Sequence, residues 1–195
     1  MRISTTRAAA LAALIVSIAP LGASAQAAPA SGGASREAAA AARAAFLADI
    51  DTLQSKFLAL AEAIPAEKYA WRPAPGVRSI GEAFMHAASE YYTFAPAAYG
   101  GQRSALIPRT REGFQQFEAQ STKESVLRHL REGPAYARQT LGALDAAAIT
   151  GPHKIFGGDR TIVETSFAVV DDLHEHLGQL IAYARMNGVT PPWSK

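Results

Sequence analysis

The chain has 195 residues, 19 Lys and Arg against 17 Asp and Glu, and no cysteine, which excludes disulfides, thiolate metal ligands and a cysteine nucleophile together. The small net charge of +2 is not gathered into a Lys/Arg stripe of the kind a phosphate backbone demands, so nucleic acid is not an expected partner.

Residues 1–25 read as a secretory signal. Arg2 and Arg7 form a positive n-region, Ala8 to Ala19 an apolar core, and Ala23-Ser24-Ala25 a small-residue cleavage site. The expectation is a periplasmic or secreted protein beginning at Gln26, with 17 basic and 17 acidic residues once the two arginines are removed. The apolar run is short for a membrane span, so no stable membrane insertion is expected after cleavage, a retained anchor being the alternative. Residues 26–35, rich in Ala, Gly, Pro and Ser, read as a flexible N-terminus. The remaining residues, 36–195, suit one domain.

A first helix is predicted from about Arg36 to Ala63, where Phe46, Ile50, Leu53, Phe57, Leu60 and Ile64 keep helical spacing before Pro65. An extended connector containing Trp71-Arg72-Pro73 follows. Ser79 with Glu82 forms a capping box for a second helix, with Ile80, Phe84, Ala88 and Tyr91 on its apolar face, continuing towards Pro96. Residues 100–117 read as a loop with at most one helical turn. Ser121 with Glu124 predicts the start of a third helix with a stripe of Leu127, Leu130, Ala137, Leu141 and Leu144, kinked or split at Gly133-Pro134. A turn-rich connector, residues 151–160, fits a small hairpin. Thr161 with Glu164 opens a fourth helix, and Gly188 occupies the place of a left-handed C-cap. Four amphipathic helices without a sustained period-two strand predict an all-α four-helix bundle.

The fourth helix carries the chemistry. Val163, Phe167, Val170, Leu173, Leu177, Leu180 and Ala184 form its apolar stripe, and Asp172, His176, Gln179 and Tyr183 a polar row beside it. A carboxylate and an imidazole four residues apart face the same way and can chelate one ion. His174 lies roughly 160° around the axis from Asp172 and reads as a packed or rim histidine. On the second helix His86 shares a face with Glu82, Ser89, Glu90 and Thr93. That face is either solvated or the polar wall of a cleft. Glu90, one turn beyond His86, is the candidate proton acceptor or orienting group, against the alternative of a helix-surface acid. Asp172 is either a ligand or an acceptor that orients an imidazole. Glu175 points to solvent, and His129 and His153 read as surface residues. Trp71, Arg72 and Arg185 are read as structural anchors, or else as the lining of an entrance for an anionic substrate.

Two segments together resemble the DinB/YfiT-like family. One is Trp71-Arg72-Pro73-x-Pro75-Gly76-x-Arg78-Ser79-Ile80-x-Glu82 leading to His86. The other is His176-Leu177-Gly178-Gln179 leading to Tyr183-x-Arg185 and Gly188-x-x-Pro191-Pro192. The resemblance implies a four-helix bundle with three metal ligands between helices, one from the second helix and a His-x-x-x-His pair from the fourth. His86 and His176 match, and the first member of the pair falls on Asp172, which departs from the family by supplying a carboxylate. The implied cofactor is one divalent metal ion, zinc first, with nickel or manganese as alternatives. The implied metal site is His86, Asp172 and His176; Glu90, from its place one turn beyond His86, is the catalytic candidate. Thiol-dependent transferases and isomerases are among the activities the resemblance implies, and export sets this chain apart from cytoplasmic thiols. The resulting expectation is an exported metalloprotein performing hydrolysis or group transfer on a small-molecule substrate, as a monomer or a homodimer. Its competitor is a non-catalytic helical binding or interaction module with a structural metal or none.

Overall fold

The computed structural model describes residues 36–145, 148, 150, 153–155 and 157–194. The secretory signal and the flexible N-terminus expected from the sequence lie outside the described residues.

Helix α1 spans Arg36–Ala63, α2 Ile80–Tyr92, α3 Phe94–Ala98, α4 Arg111–Glu118 and α5 Lys123–Gly142. Strands β1, His153–Ile155, and β2, Gly158–Arg160, form an antiparallel hairpin with Lys154 opposite Asp159, and α6 spans Ile162–Met186. Helices α1 and α2 each pack against both α5 and α6, so α1 and α2 occupy opposite corners of a four-helix arrangement. The predicted bundle is present. Phe46, Ile50, Leu53, Phe57 and Leu60 from α1, with Ile64 just past its end, are all buried and meet Ile80, Phe84, Ala88 and Tyr91 of α2 in one core.

Local chemistry sets most of the boundaries. Ser79 Oγ accepts from the Glu82 amide at 3.2 Å while Glu82 Oε2 accepts from the Ser79 amide at 2.7 Å, closing the predicted capping box. Thr161 and Glu164 repeat this at α6. Gly188 adopts φ 76°, the left-handed conformation in which a Cβ is unfavourable.

Four expectations need correction. Helix α2 ends at Tyr92 rather than running on to Pro96, because a proline lacks the amide that would bond to residue 92, and the chain restarts as α3 after Thr93. Residues 111–118, expected to be loop, form the two-turn helix α4, capped by Thr110 Oγ1 accepting from the Gly113 amide. The cap of α5 is Thr122, whose hydroxyl accepts from the Ser125 amide, and not Ser121. The buried face of α5 accordingly comprises Val126, His129, Leu130, Ala137 and Leu141, with Leu127 and Leu144 only partly buried. Of the kink or split expected at Gly133-Pro134, the split is absent, and α5 continues through Pro134. A Cβ on Gly133 would lie 3.2 Å from Tyr91 Cβ and 3.3 Å from the Ala88 carbonyl, so this glycine permits the close approach of α5 to α2.

The apolar stripe of α6 also differs at its start. Val163 and Phe167 are 45% and 65% exposed, whereas Thr165, Val169 and Leu173 are buried. The facing part of α1 offers Ala38, Ala41, Ala42 and Ala45, side chains too short to cover those two residues, and an apolar groove remains between the helices.

Candidate metal centre

Helix α2 packs against α6 on one side and α4 on another, so three helices deliver polar side chains to one point. On α2, His86 and Glu90 stand one turn apart on the face turned towards α6. On α6, Asp172 and His176 have the same spacing. His176 Nε2 lies 2.9 Å from Glu90 Oε1, and His86 Nε2 lies 3.5 Å from the same oxygen. The two imidazoles meet edge to face with centroids 4.7 Å apart.

One nitrogen or oxygen from each of His86, Glu90 and His176 falls within 4.8 Å of the others, and this group can hold a metal ion. Two imidazoles and a carboxylate form a donor set suited to zinc and to other first-row divalent metals. The geometry also contains an orphan. Glu90 is buried, and its Oε2 is enclosed without a hydrogen-bond partner among the described residues. Burying an acceptor without a partner is costly, and an added cation would satisfy it. The residues present therefore fit a divalent ion.

Burial raises the pKa of Glu90, and nearby Asp172 raises it further, while the bond and charge of His176 oppose the shift. Burial acts to lower the pKa of His176, but the Glu90 hydrogen bond and charge, with Asp172 and Gln179, raise it overall.

Behind His86 stands a second carboxylate that sequence reasoning missed. The Nδ1–H of His86 donates to Glu118 Oε1 at 2.7 Å, leaving Nε2 to face Glu90 and His176. Arg78 grips the same carboxylate with Nε to Oε2 at 2.9 Å and Nη2 to Oε1 at 3.1 Å. Burial would raise the pKa of Glu118, yet these bonds to His86 and Arg78 hold it below the usual value. The available signal was Arg78 directly before the cap of α2. What hid the partner was the reading of α4 as loop.

The sequence-derived candidates separate clearly. His86, Glu90 and His176 come together. Asp172 lies beside them, with Oδ1 3.8 Å from His176 Nε2, but outside the converging trio. His174 is exposed and turned to α1, with Nε2 3.4 Å from Asp49 Oδ1. Glu175 is exposed, as its helix position implies. The face of α2 bearing His86 is a cleft wall, since Ser89, Glu90 and Thr93 are all buried. His129 is not at the surface: it is buried, with Tyr92 Oη 3.2 Å from its Nδ1 and Phe117 against its ring. Its placement follows from the shifted face of α5. His153 contributes backbone to β1, and its side chain lies outside what is described. Trp71 packs edge-on to Tyr183, and Arg72 donates to the Val77 carbonyl and to Glu82, so both brace the connector before α2.

A cavity of about 320 Å³ opens beside the trio, lined in part by His86, Glu90, Thr93, Arg103, Phe114 and Asp172. A sequence profile described as the DinB superfamily matches residues 49–180. The chain belongs to the DinB superfamily. The matched region includes every residue of the centre, from Arg78 through Glu118 to His176. The structure is also similar to the crystal structure of a DinB-like protein from Bacillus cereus ATCC 10987, with a TM-score of 0.56 and 15% identity over 75% of this chain and 93% of that chain. At that identity the likeness concerns the fold alone. No curated protein matches the chain.

Proposed function

We propose that this DinB superfamily protein binds one divalent metal ion through His86, Glu90 and His176 and uses it for hydrolysis or group transfer on a small molecule. The observation that carries the proposal is the convergence of these three groups around a buried carboxylate with one unpartnered oxygen. Glu90, read from sequence as the catalytic group, is best placed as the third ligand. Asp172, read as a ligand, lines the cavity and is best placed to accept or return a proton there. Glu118 and Arg78 hold the His86 ring in the orientation that presents Nε2. A divalent ion in this setting supplies Lewis-acid polarisation of a bound carbonyl or phosphoryl oxygen.

The cavity beside the centre supports a small substrate rather than a polymer. Export belongs to the same proposal, on the composition of residues 1–25. Mass spectrometry of exported material is expected to find Gln26 at the N-terminus, and an intact Met1 chain recovered from the cytoplasm would remove this part.

Metal analysis of protein purified without an affinity tag tests the core of the proposal. After zinc, nickel and manganese are offered, about one equivalent of metal is expected, and under about a tenth of an equivalent contradicts it.

A further inference from the structure

We propose that the cavity beside the metal centre takes a small organic anion whose carboxylate is held by Arg103. The inference shares its site with the metal proposal and names the class of substrate.

Arg103 stands in the connection between α3 and α4 and lines the cavity with His86, Glu90, Phe114 and Asp172. Several arginines of the domain are engaged by protein oxygens. Arg78 grips Glu118, Arg72 bonds to Glu82, Arg131 to Glu62, and Arg43 to the Leu141 and Leu144 carbonyls. Arg36, Arg109, Arg111, Arg160 and Arg185 are exposed to solvent, whereas Arg103 is partly buried. Its Nε is enclosed without a hydrogen-bond partner, and its guanidinium makes no ion pair with a carboxylate among the described residues.

The acids of the cavity do not serve it. Glu90 is turned to the two histidines, and the ion-pair partner of Asp172 is His176. The ring of Phe114 lies 5.8 Å from the guanidinium carbon, and among the described residues no acceptor is bonded to the Nη groups, which are the donors open to an anion. Burial and the neighbouring charge of Arg109 both act against its cationic form, the situation an incoming anion relieves.

Size and charge narrow the ligand further. About 320 Å³ admits a small molecule, and Phe94, Ala97 and Phe114 provide apolar wall for a short carbon chain. With a divalent ion present, the carboxylates of Glu90 and Asp172 balance its charge, and Arg103 remains as a surplus positive charge. A carboxylate matches the guanidinium fork in a bidentate pair.

Succinate and its uncharged analogue succinamide test the inference by calorimetric titration into the full mature protein, metal-free and zinc-loaded, with zinc binding titrated separately. Wild type is expected to bind succinate at least about tenfold more tightly than succinamide. Arg103→Gln is expected to abolish that preference and Arg103→Lys to restore part of it, with circular dichroism unchanged in both. Equal binding of the two probes, no binding of either, or an unchanged preference in Arg103→Gln would overturn the inference. The arms also separate the two proposals. An Arg103-dependent preference in a protein that takes up no zinc sustains the anion site and removes the metal. One equivalent of zinc with no Arg103-dependent preference does the reverse.

Discussion

Glu90 of α2 and His176 of α6 meet at 2.9 Å, joining the two helices through a carboxylate that is almost wholly out of water. A buried carboxylate with one oxygen on an imidazole and the other on nothing is an incomplete arrangement. A cation would complete it.

Glu90→Ala and His176→Ala are each expected to weaken zinc binding by roughly tenfold or more while preserving helical content. Leu177→Ala is the contrasting variant, because Leu177 is adjacent to His176 in the chain but belongs to the core, at 4% exposure. It is expected to cost about 2–5 kcal/mol of stability and to leave zinc stoichiometry unchanged in the folded protein. Calorimetric titration and chemical denaturation separate the two effects, and unchanged zinc affinity in both ligand variants would show that neither residue binds the ion.

Asp172 and His174 give a geometric test. Residues two apart on a helix diverge by about 200°, so His174 faces Asp49 across α1 while His176 faces Glu90. His174→Ala is expected to leave zinc affinity unaltered, and Asp172→Ala to weaken it less than Glu90→Ala does. Asp172→His, which restores the imidazole implied by the family resemblance, is expected to preserve or strengthen zinc binding. Loss of binding in His174→Ala would require a different arrangement of α6.

On the proposed reading, Glu118 would act on a bound ion through His86. Glu118→Gln keeps the shape of the side chain but removes the charge that orients and enriches the imidazole, so zinc affinity is expected to fall by about tenfold or more with little change in thermal stability. Arg78→Gln, one step further away, is expected to have the smaller effect. Equal zinc affinity in Glu118→Gln and wild type would reduce Glu118 to a structural ion pair.

His129 predicts a pH dependence remote from the centre. Burial lowers its pKa, the charge of Arg128 lowers it further, and Glu132, 3.9 Å away, only partly opposes this. Arg128 donates to its Nε2 and Tyr92 contacts its Nδ1, so the ring is packed as a neutral group. The unfolded chain takes up a proton near pH 6.5, before the folded protein does. Stability is therefore fully supported above that pH and declines as pH falls below it. Melting temperatures between pH 8 and pH 5 are expected to drop on the acidic side, with a shallower slope in His129→Gln; parallel slopes would contradict this assignment.

The sequence revealed most where local rules act alone. The apolar spacing of α1, the capping boxes at Ser79 and Thr161, and the left-handed Gly188 depend on neighbours within a few residues, and each is found where predicted. The start of α5 was less legible because Ser121 and Thr122 both have a hydroxyl able to cap, and the pairing of Ser121 with Glu124 pointed to the first whereas Thr122 is the cap. Helix α4 is short, and its polar sequence concealed Phe117 and Glu118, whose burial depends on α2. Spacing brought His176 forward, and the pairing of α2 with α6 decided which carboxylate faces it. A count along one helix favours Asp172, whereas the contact between helices favours Glu90.

The most direct test is anomalous scattering from crystals of zinc-loaded protein, recorded on either side of the zinc edge. One peak is expected between α2 and α6, within bonding distance, about 2 Å, of His86 Nε2, His176 Nε2 and an oxygen of Glu90. A zinc peak bound elsewhere, or no peak in protein exposed to excess zinc with the three side chains arranged as described, would contradict the assignment of this group as a metal centre.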